Sequence, residues 1–572
     1  MQKKIIFGLL GACVGTSLLA VSCFIGSRSE VYDVVIVGGT VYDGSGSPGR
    51  SADVGIREGT IVKVGRIGRA KAGARVIDAQ GQAVVPGFID IHTHCDMGIG
   101  NPETRANLNY LTQGVTTVVT GNCGTGTYKF SELRRTLESG RIGTNLIHLA
   151  GLGPIRAAVL GTGDRQPSSD EIEKMKGLLL QALNEGAWGL STGLMYIPDR
   201  YAKTEEIVAL NKVVAEEGGL FSPHQRNEED FLIDSVREVL RIAAESGART
   251  NIAHFKCAGK FNWGKLLQAV TLINEARAAG LQVTADLYPY DKAAILPLWA
   301  VFNVPKESRE LYALSLQALE DADSSSNEGL ALRKAYAKQL AEALGDPALR
   351  ARIRDRTYRG DPDKVNWLVV EGWHNITIVS AEKNAALAGE LICDLASQTG
   401  RDGFDIAADL LMEEPDDIMI SVCAMSEEEI CHAMGQEWTM ISSDGSAVRF
   451  NVGNVHPRCY GSFPRFFSKY VRNKKAVSFE KGIRMTSGLP AATIGLTDRG
   501  LIKEGFQADI VVFDPSTIQD QATYLAPHQY STGISRVLVN GQVAVEEGKY
   551  TGALAGKILL RPAKSASPPI SN

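Results

Sequence analysis

An α/β fold built around a parallel barrel is what this sequence predicts, and three observations predict it. Between residues 83 and 290, short apolar runs alternate with longer stretches of helical spacing. Side chains suited to chemistry stand at the ends of those runs, which is where a (β/α)8 barrel collects its site. Both ends of the chain carry β-rich segments of similar texture, so a second, smaller β unit flanks the barrel.

The first β unit spans residues 31–85. Tyr32-Asp33-Val34-Val35-Ile36-Val37, Asp53-Val54-Gly55-Ile56 and Ile61-Val62-Lys63-Val64 read as short strands between turn residues. The same texture returns in residues 503–560, with Asp509 to Asp514 and Arg536 to Gly541 as strands. The two segments are expected to pair as one small β-sandwich. Residues 86–502 form the barrel. Its strands include Thr116–Thr120, Leu220–Ser222, Thr250–His254 and Val283–Asp286. Ser169–Glu185, Phe231–Ser246 and Trp263–Ala279 are its helices. The rhythm breaks from about 300 to 410, where Glu307–Leu349 is charged and rich in Ala and Leu. This reads as an inserted helical subdomain, either a cover for the site or a structural elaboration.

Lys3 and Lys4 precede an apolar stretch from Ile5 to Val21, the pattern of a targeting segment over residues 1–22. It ends in Leu19-Ala20-Val21-Ser22-Cys23, which resembles the lipobox of bacterial lipoproteins, with residues 23–30 as a tether. The expectation is an extracytoplasmic protein of the periplasm or cell envelope, attached to the membrane through lipidated Cys23. An ordinary cleaved signal peptide or an uncleaved anchor is the alternative. A net charge of -5 and the lack of a Walker-type loop argue against nucleic-acid and nucleotide partners. Nine scattered cysteines over 572 residues are not a disulfide scaffold.

Asp90-Ile91-His92-Thr93-His94 follows the apolar run Ala83–Ile89. Residues two apart on a strand point the same way, so His92 and His94 project together and can hold a divalent metal. On its own the pair is also compatible with ordinary loop histidines. Gly121-Asn122-Cys123-Gly124 exposes a thiol after the next strand, His224 and His254 end later strands, and Asp444 closes another. Each alone has a structural reading: a buried cysteine or a satisfied core histidine. Together, four histidines, one cysteine and one aspartate exceed a closed tetrahedral site. The surplus suggests one firmly held metal, a second weaker site and an open coordination position. Asp444 is the candidate catalytic residue, because a carboxylate beside a metal can take a proton from water.

With these residues in place, the chain resembles the N-acyl-D-amino-acid deacylases (D-aminoacylases) of the amidohydrolase superfamily. The likeness also rests on Gly189–Leu194, Asp286-Leu287-Tyr288-Pro289-Tyr290, His456–Arg465, Asp498-Arg499-Gly500 and Gly505–Ile510, and runs from about residue 31 to 550. The resemblance implies a TIM-like (β/α)8 metal-dependent hydrolase barrel with a β-sandwich made from both termini. It implies zinc held tightly by Cys123, His224 and His254, and a weaker site of His92, His94 and Asp444. Lys256 and Tyr288 would bind the substrate carboxylate, joined by Arg458, which equally suits a loop brace. The implied reaction is zinc-dependent hydrolysis of linear amides in small N-acyl-D-amino acids or D-dipeptides. The rivals are a cyclic amide or imide hydrolase of dihydropyrimidinase type and a non-catalytic binding lipoprotein.

Two departures stand out. Where the family has Gly-His-Gly before an arginine, this chain has Gly151-Leu152-Gly153-Pro154-Ile155-Arg156. Where the family has a carboxylate-binding serine after Tyr-Pro-Tyr, this chain has Ala294. Lys292 is the candidate to replace that contact, with a solvated loop lysine as the alternative.

Overall fold

A computed structural model describes residues 31–67, 74–320, 327–361, 366–368, 372–423 and 425–562. The expected targeting segment and Cys23 lie outside them. No described helix is long and apolar enough to cross a membrane.

Eight parallel strands form the barrel: β1 (Phe88–Asp90), β2 (Val115–Thr120), β3 (Asn145–His148, continued by Ala150–Gly151), β4 (Gly189–Gly193), β5 (Leu220–His224), β6 (Arg249–Ile252), β7 (Val283–Leu287) and β8 (Thr439–Ile441). Neighbours in this order pair in parallel. The circle closes through a parallel bridge between Thr93 and Gly445, with the Asp444 amide donating to the His92 carbonyl at 2.9 Å. The strands are almost wholly buried, which explains why they read as continuous apolar runs instead of alternating ones. Helices cover them with apolar stripes at helical spacing, such as Val236, Val239, Ile242 and Ala243 on Leu232–Ser246. The helix Ser169–Asn184 starts in a reciprocal capping box between Ser168 and Glu171.

The terminal segments share one sheet. Ala83–Pro86 pairs antiparallel with Ile510–Phe513, inside a seven-stranded sheet that also holds Thr40–Val41, Ile534–Val539 and Gln542–Glu546. A four-stranded sheet of residues 34–78 packs against it, with Ile36, Val54, Ile61, Val84, Ile510 and Leu538 in a common core. Arg499 ties this unit to the barrel. It pairs with buried Asp509, whose Oδ2 accepts from Asn145 of β3 at 3.0 Å, and donates to Asn540 at 2.7 Å. Removing one partner of such a pair strands a buried charge, at a cost of about 3–5 kcal/mol. Asp509→Ala is therefore expected to lose that much in equilibrium denaturation. An unchanged midpoint would show that the network contributes nothing.

The inserted segment is larger than its helical pattern suggests and is not wholly helical. Among the described residues, the helices Arg309–Glu320, Asn327–Gly345, Pro347–Arg359, Ile392–Thr399 and Gly403–Glu413 share its core with an antiparallel sheet of Lys292–Pro297, Met419–Cys423 and Ile376–Ser380. It has its own core, from Leu298 to Val422. Those strands were hard to see because short apolar runs such as Ile376-Thr377-Ile378-Val379 suit a buried helix turn equally well.

Candidate metal centre

All six candidate ligands converge at the C-terminal end of the barrel. His92 and His94 follow β1, Cys123 follows β2, His224 ends β5, His254 follows β6 and Asp444 follows β8. Cys123 Sγ lies 3.4 Å from His92 Nε2 and 3.5 Å from His254 Nε2. His254 Nε2 lies 2.8 Å from His224 Nδ1. Asp444 Oδ1 lies 3.2 Å from His94 Nε2 and 3.5 Å from His92 Nε2. The donor atoms thus form one continuous cluster, in which His92 faces both the cysteine side and the aspartate side.

The backbone is bent to make this possible. Cys123, His254 and Asp444 have φ of 51°, 33° and 52°, a left-handed region that side chains other than glycine enter at a cost. This is also why β6 stops at Ile252, two residues before the expected end at His254. The His254 amide turns aside to donate to Asp286 Oδ1 at 3.0 Å. Gly124 must lack a side chain, since a Cβ there would sit 2.2 Å from Asp199 Oδ2.

Burial and neighbours set the charges. Burial holds His224 and His254 well below the usual imidazole range, so both are neutral and keep a lone pair. Burial pushes the Cys123 thiol up to about 11. Burial would lower His94, but its hydrogen bond to Asp444 prevails and raises it to about 10. Burial would raise Asp444, but Arg458 and His94 hold it well below the carboxylate range. The donor set fits a borderline-soft divalent ion: one thiol, four imidazoles and one carboxylate, their donor atoms gathered within hydrogen-bond distance of one another.

A ring of groups that the motifs did not single out as site residues orients the donors. Asp286 accepts from the His254 amide, from Ser442 Oγ at 2.6 Å and from Asn251 at 2.7 Å, and lies 3.6 Å from His92 Nδ1. Asp90 accepts from the amides of His92 and Ser443 at 3.2 and 3.1 Å. Glu228 lies 2.7 Å from Lys256 Nζ and 2.8 Å from His254 Nδ1. The Tyr196 ring stands edge-on to His224, 4.9 Å between centroids.

The candidate substrate-binding residues flank Asp444. Arg458 is 2.9 Å from Asp444 Oδ2 and 5.0 Å from the Tyr288 ring, and Lys256 lies 5.7 Å from the same ring. Lys292 turns elsewhere. Its ammonium donates to Thr377 Oγ1 at 3.0 Å and Ser421 Oγ at 2.9 Å, inside the inserted sheet. Leu152, at the position of the family's histidine, is fully buried among Phe130, Ile155 and Leu190, so a polar contact has become a packing one.

This arrangement has known counterparts. The chain is 32% identical over 563 residues to the N-acyl-D-glutamate deacylase of Alcaligenes xylosoxydans xylosoxydans, covering 94% of this chain and 99% of the relative. It is 30% identical to the D-aminoacylase of the same organism, with the same coverage. It belongs to the N-acyl-D-amino-acid deacylase family of amidohydrolases. The amidohydrolase family pattern matches residues 75–220 and 434–545, and the insert lies between them. Among solved structures, the N-acyl-D-glutamate deacylase of Bordetella bronchiseptica, complexed with zinc and a phosphonate mimic of the tetrahedral intermediate, superposes with a TM-score of 0.69. That match has 29% identity and covers 93% of this chain and 100% of the other. As a member of this family the chain is a metal-dependent amidohydrolase.

Proposed function

We propose that the protein hydrolyses linear amide bonds in N-acyl-D-amino acids, or in dipeptides carrying a D-residue, with zinc as its metal. The observation that carries this reading is the placement of Asp444 between the donor cluster and a cationic, aromatic patch. One carboxylate oxygen faces His94 and the other faces Arg458, which lies over Tyr288. A proton-transfer group and a carboxylate-binding patch therefore share one wall. The zinc-bearing relative supports the choice of metal. Cys123, His224 and His254 would hold the tight ion, and His92, His94 and Asp444 a weaker second one.

Zinc bound there would polarise the scissile carbonyl and make water more acidic. The chain supplies the rest. Asp444 is ionised at neutral pH, so it accepts a proton from the attacking water and returns it to the departing amine. Lys256 stays cationic, since Glu228 outweighs the effect of burial, and with Arg458 and Tyr288 it fixes the substrate carboxylate. Products are a D-amino acid and a carboxylate.

The test is release of free amine from N-acetyl-D- and N-acetyl-L-amino acids, D-terminal dipeptides and dihydrouracil. Turnover confined to D-substrates supports the proposal, and ring opening alone overturns it. The proposal includes a cell-envelope location with lipidated Cys23. Incorporation of a labelled fatty acid into the native chain but not into Cys23→Ser checks that part.

Metal binding should be proton-coupled. The Cys123 thiol, at about 11, must lose its proton to ligate, whereas His224 and His254 are already neutral. Apparent zinc affinity should thus rise about tenfold per pH unit between pH 6 and 8 from the thiol alone. Chelator competition measures this, and a flat profile would rule out the thiol as ligand.

A further inference from the structure

One imidazole nitrogen in the site has two neighbours with opposite demands. His254 Nδ1 lies 2.8 Å from Lys256 Nζ and 2.8 Å from Glu228 Oε1. An ammonium only donates, so a bond from Lys256 needs a lone pair on Nδ1 and leaves the ring proton on Nε2. A carboxylate only accepts, so contact with Glu228 needs the proton on Nδ1 and frees Nε2. Nε2 is the atom that faces Cys123 Sγ and His224 Nδ1. Only the tautomer that Glu228 favours presents a lone pair to a metal there.

Glu228 is built to act on both neighbours. Its side chain is only 5% exposed. Oε2 lies 2.7 Å from Lys256 Nζ and so draws the ammonium towards itself. Oε1 has no hydrogen bond of its own and stands beside Nδ1. The residue sits four positions after His224 on the β5 loop. Its carbonyl accepts from the Ala258 amide at 2.7 Å, which ties that loop to the one carrying His254 and Lys256. Arg226 braces the same loop, donating to Glu238 at 2.9 Å and to the Arg200 carbonyl at 2.8 Å.

We propose that Glu228 is a positioning residue with two tasks: one oxygen selects the ligating tautomer of His254, and the other aims Lys256 at the substrate carboxylate. Metal retention and anion recognition then depend on one side chain. This rests on the zinc deacylase reading above.

Glu228→Gln in the full chain separates the possibilities. Glutamine keeps the shape but has one acceptor, so it can serve Nδ1 or the ammonium and not both. Zinc affinity, read by competition with a chromophoric chelator, should fall ten- to a hundredfold, the range typical when a ligand's hydrogen-bond partner is lost. KM for an N-acetyl-D-amino acid at saturating zinc should rise more than kcat falls. Lys256→Met should raise KM and leave zinc affinity at or above that of the native chain. The double variant Glu228→Gln, Lys256→Met should regain zinc affinity, because the amide oxygen is then free to accept from Nδ1. Native zinc affinity in Glu228→Gln would overturn the proposal, as would a loss that the double variant does not restore. Zinc titration needs no turnover. A chain that shows this zinc pattern yet hydrolyses no D-substrate would discard the deacylase reading, and with it the aiming of Lys256, and keep the action of Glu228 on His254.

Discussion

Asp444→Asn is expected to lower kcat by about 10³- to 10⁴-fold, the upper range for removing a group that moves a proton in the transition state. Asparagine matches the shape of the side chain and can still accept from His94, but it is no base. Asp444 is the residue in which the two halves of the site meet, through His94 at 3.2 Å on one side and Arg458 at 2.9 Å on the other. Zinc in the Cys123, His224 and His254 group should remain, because Asp444 is not part of it. The expected pattern is therefore a collapsed kcat with one zinc still bound, seen by steady-state kinetics beside metal analysis. A loss of less than tenfold would remove Asp444 from the chemistry.

Cys123→Ala should empty the tight site. The thiol is the only soft donor in the cluster and sits within 3.5 Å of two imidazole nitrogens. Losing a contacting ligand should cost more than losing a supporting partner, so zinc affinity should fall by well over a hundredfold. After dialysis the variant should carry almost no zinc and show almost no turnover, while its circular dichroism stays native. Alanine also relieves nothing at φ 51°, so the strained turn between Gly121 and Gly124 persists without its purpose. Full zinc retention would shift the tight site onto the histidines and Asp444.

The parts of this site that could be read in the sequence are those whose meaning is local. His92 and His94 are two apart after a strand, and Cys123 lies between turn-forming glycines, so the direction in which they project follows from strand and turn geometry. Asp286, Asp90 and Glu228 gave no such signal. Each acts on a residue brought to it by folding: Asp286 on His254 and Ser442, Asp90 on Ser443, Glu228 on Lys256. The barrel was legible because its buried strands and amphipathic helices alternate. The inserted sheet was not, because its three strands are separated by up to about eighty residues of helix and loop. Lys292 shows the limit of alignment by position. It stands two residues from the altered Ala294, yet its ammonium is spent on Thr377 and Ser421.

The seven-stranded sheet has a consequence for biosynthesis. Ala83–Pro86 leaves the ribosome early, but its neighbour Ile510–Phe513 comes more than 400 residues later. Until then an apolar strand edge lies open, and such edges recruit other chains. The tail is late as well: Leu559 donates to Leu146, and Trp188 donates to the Leu559 carbonyl. The early half of the barrel thus waits for the segment around Leu559 before its outer surface is sealed. Any chain that ends before residue 510 keeps that strand edge without its partner and open to such pairing.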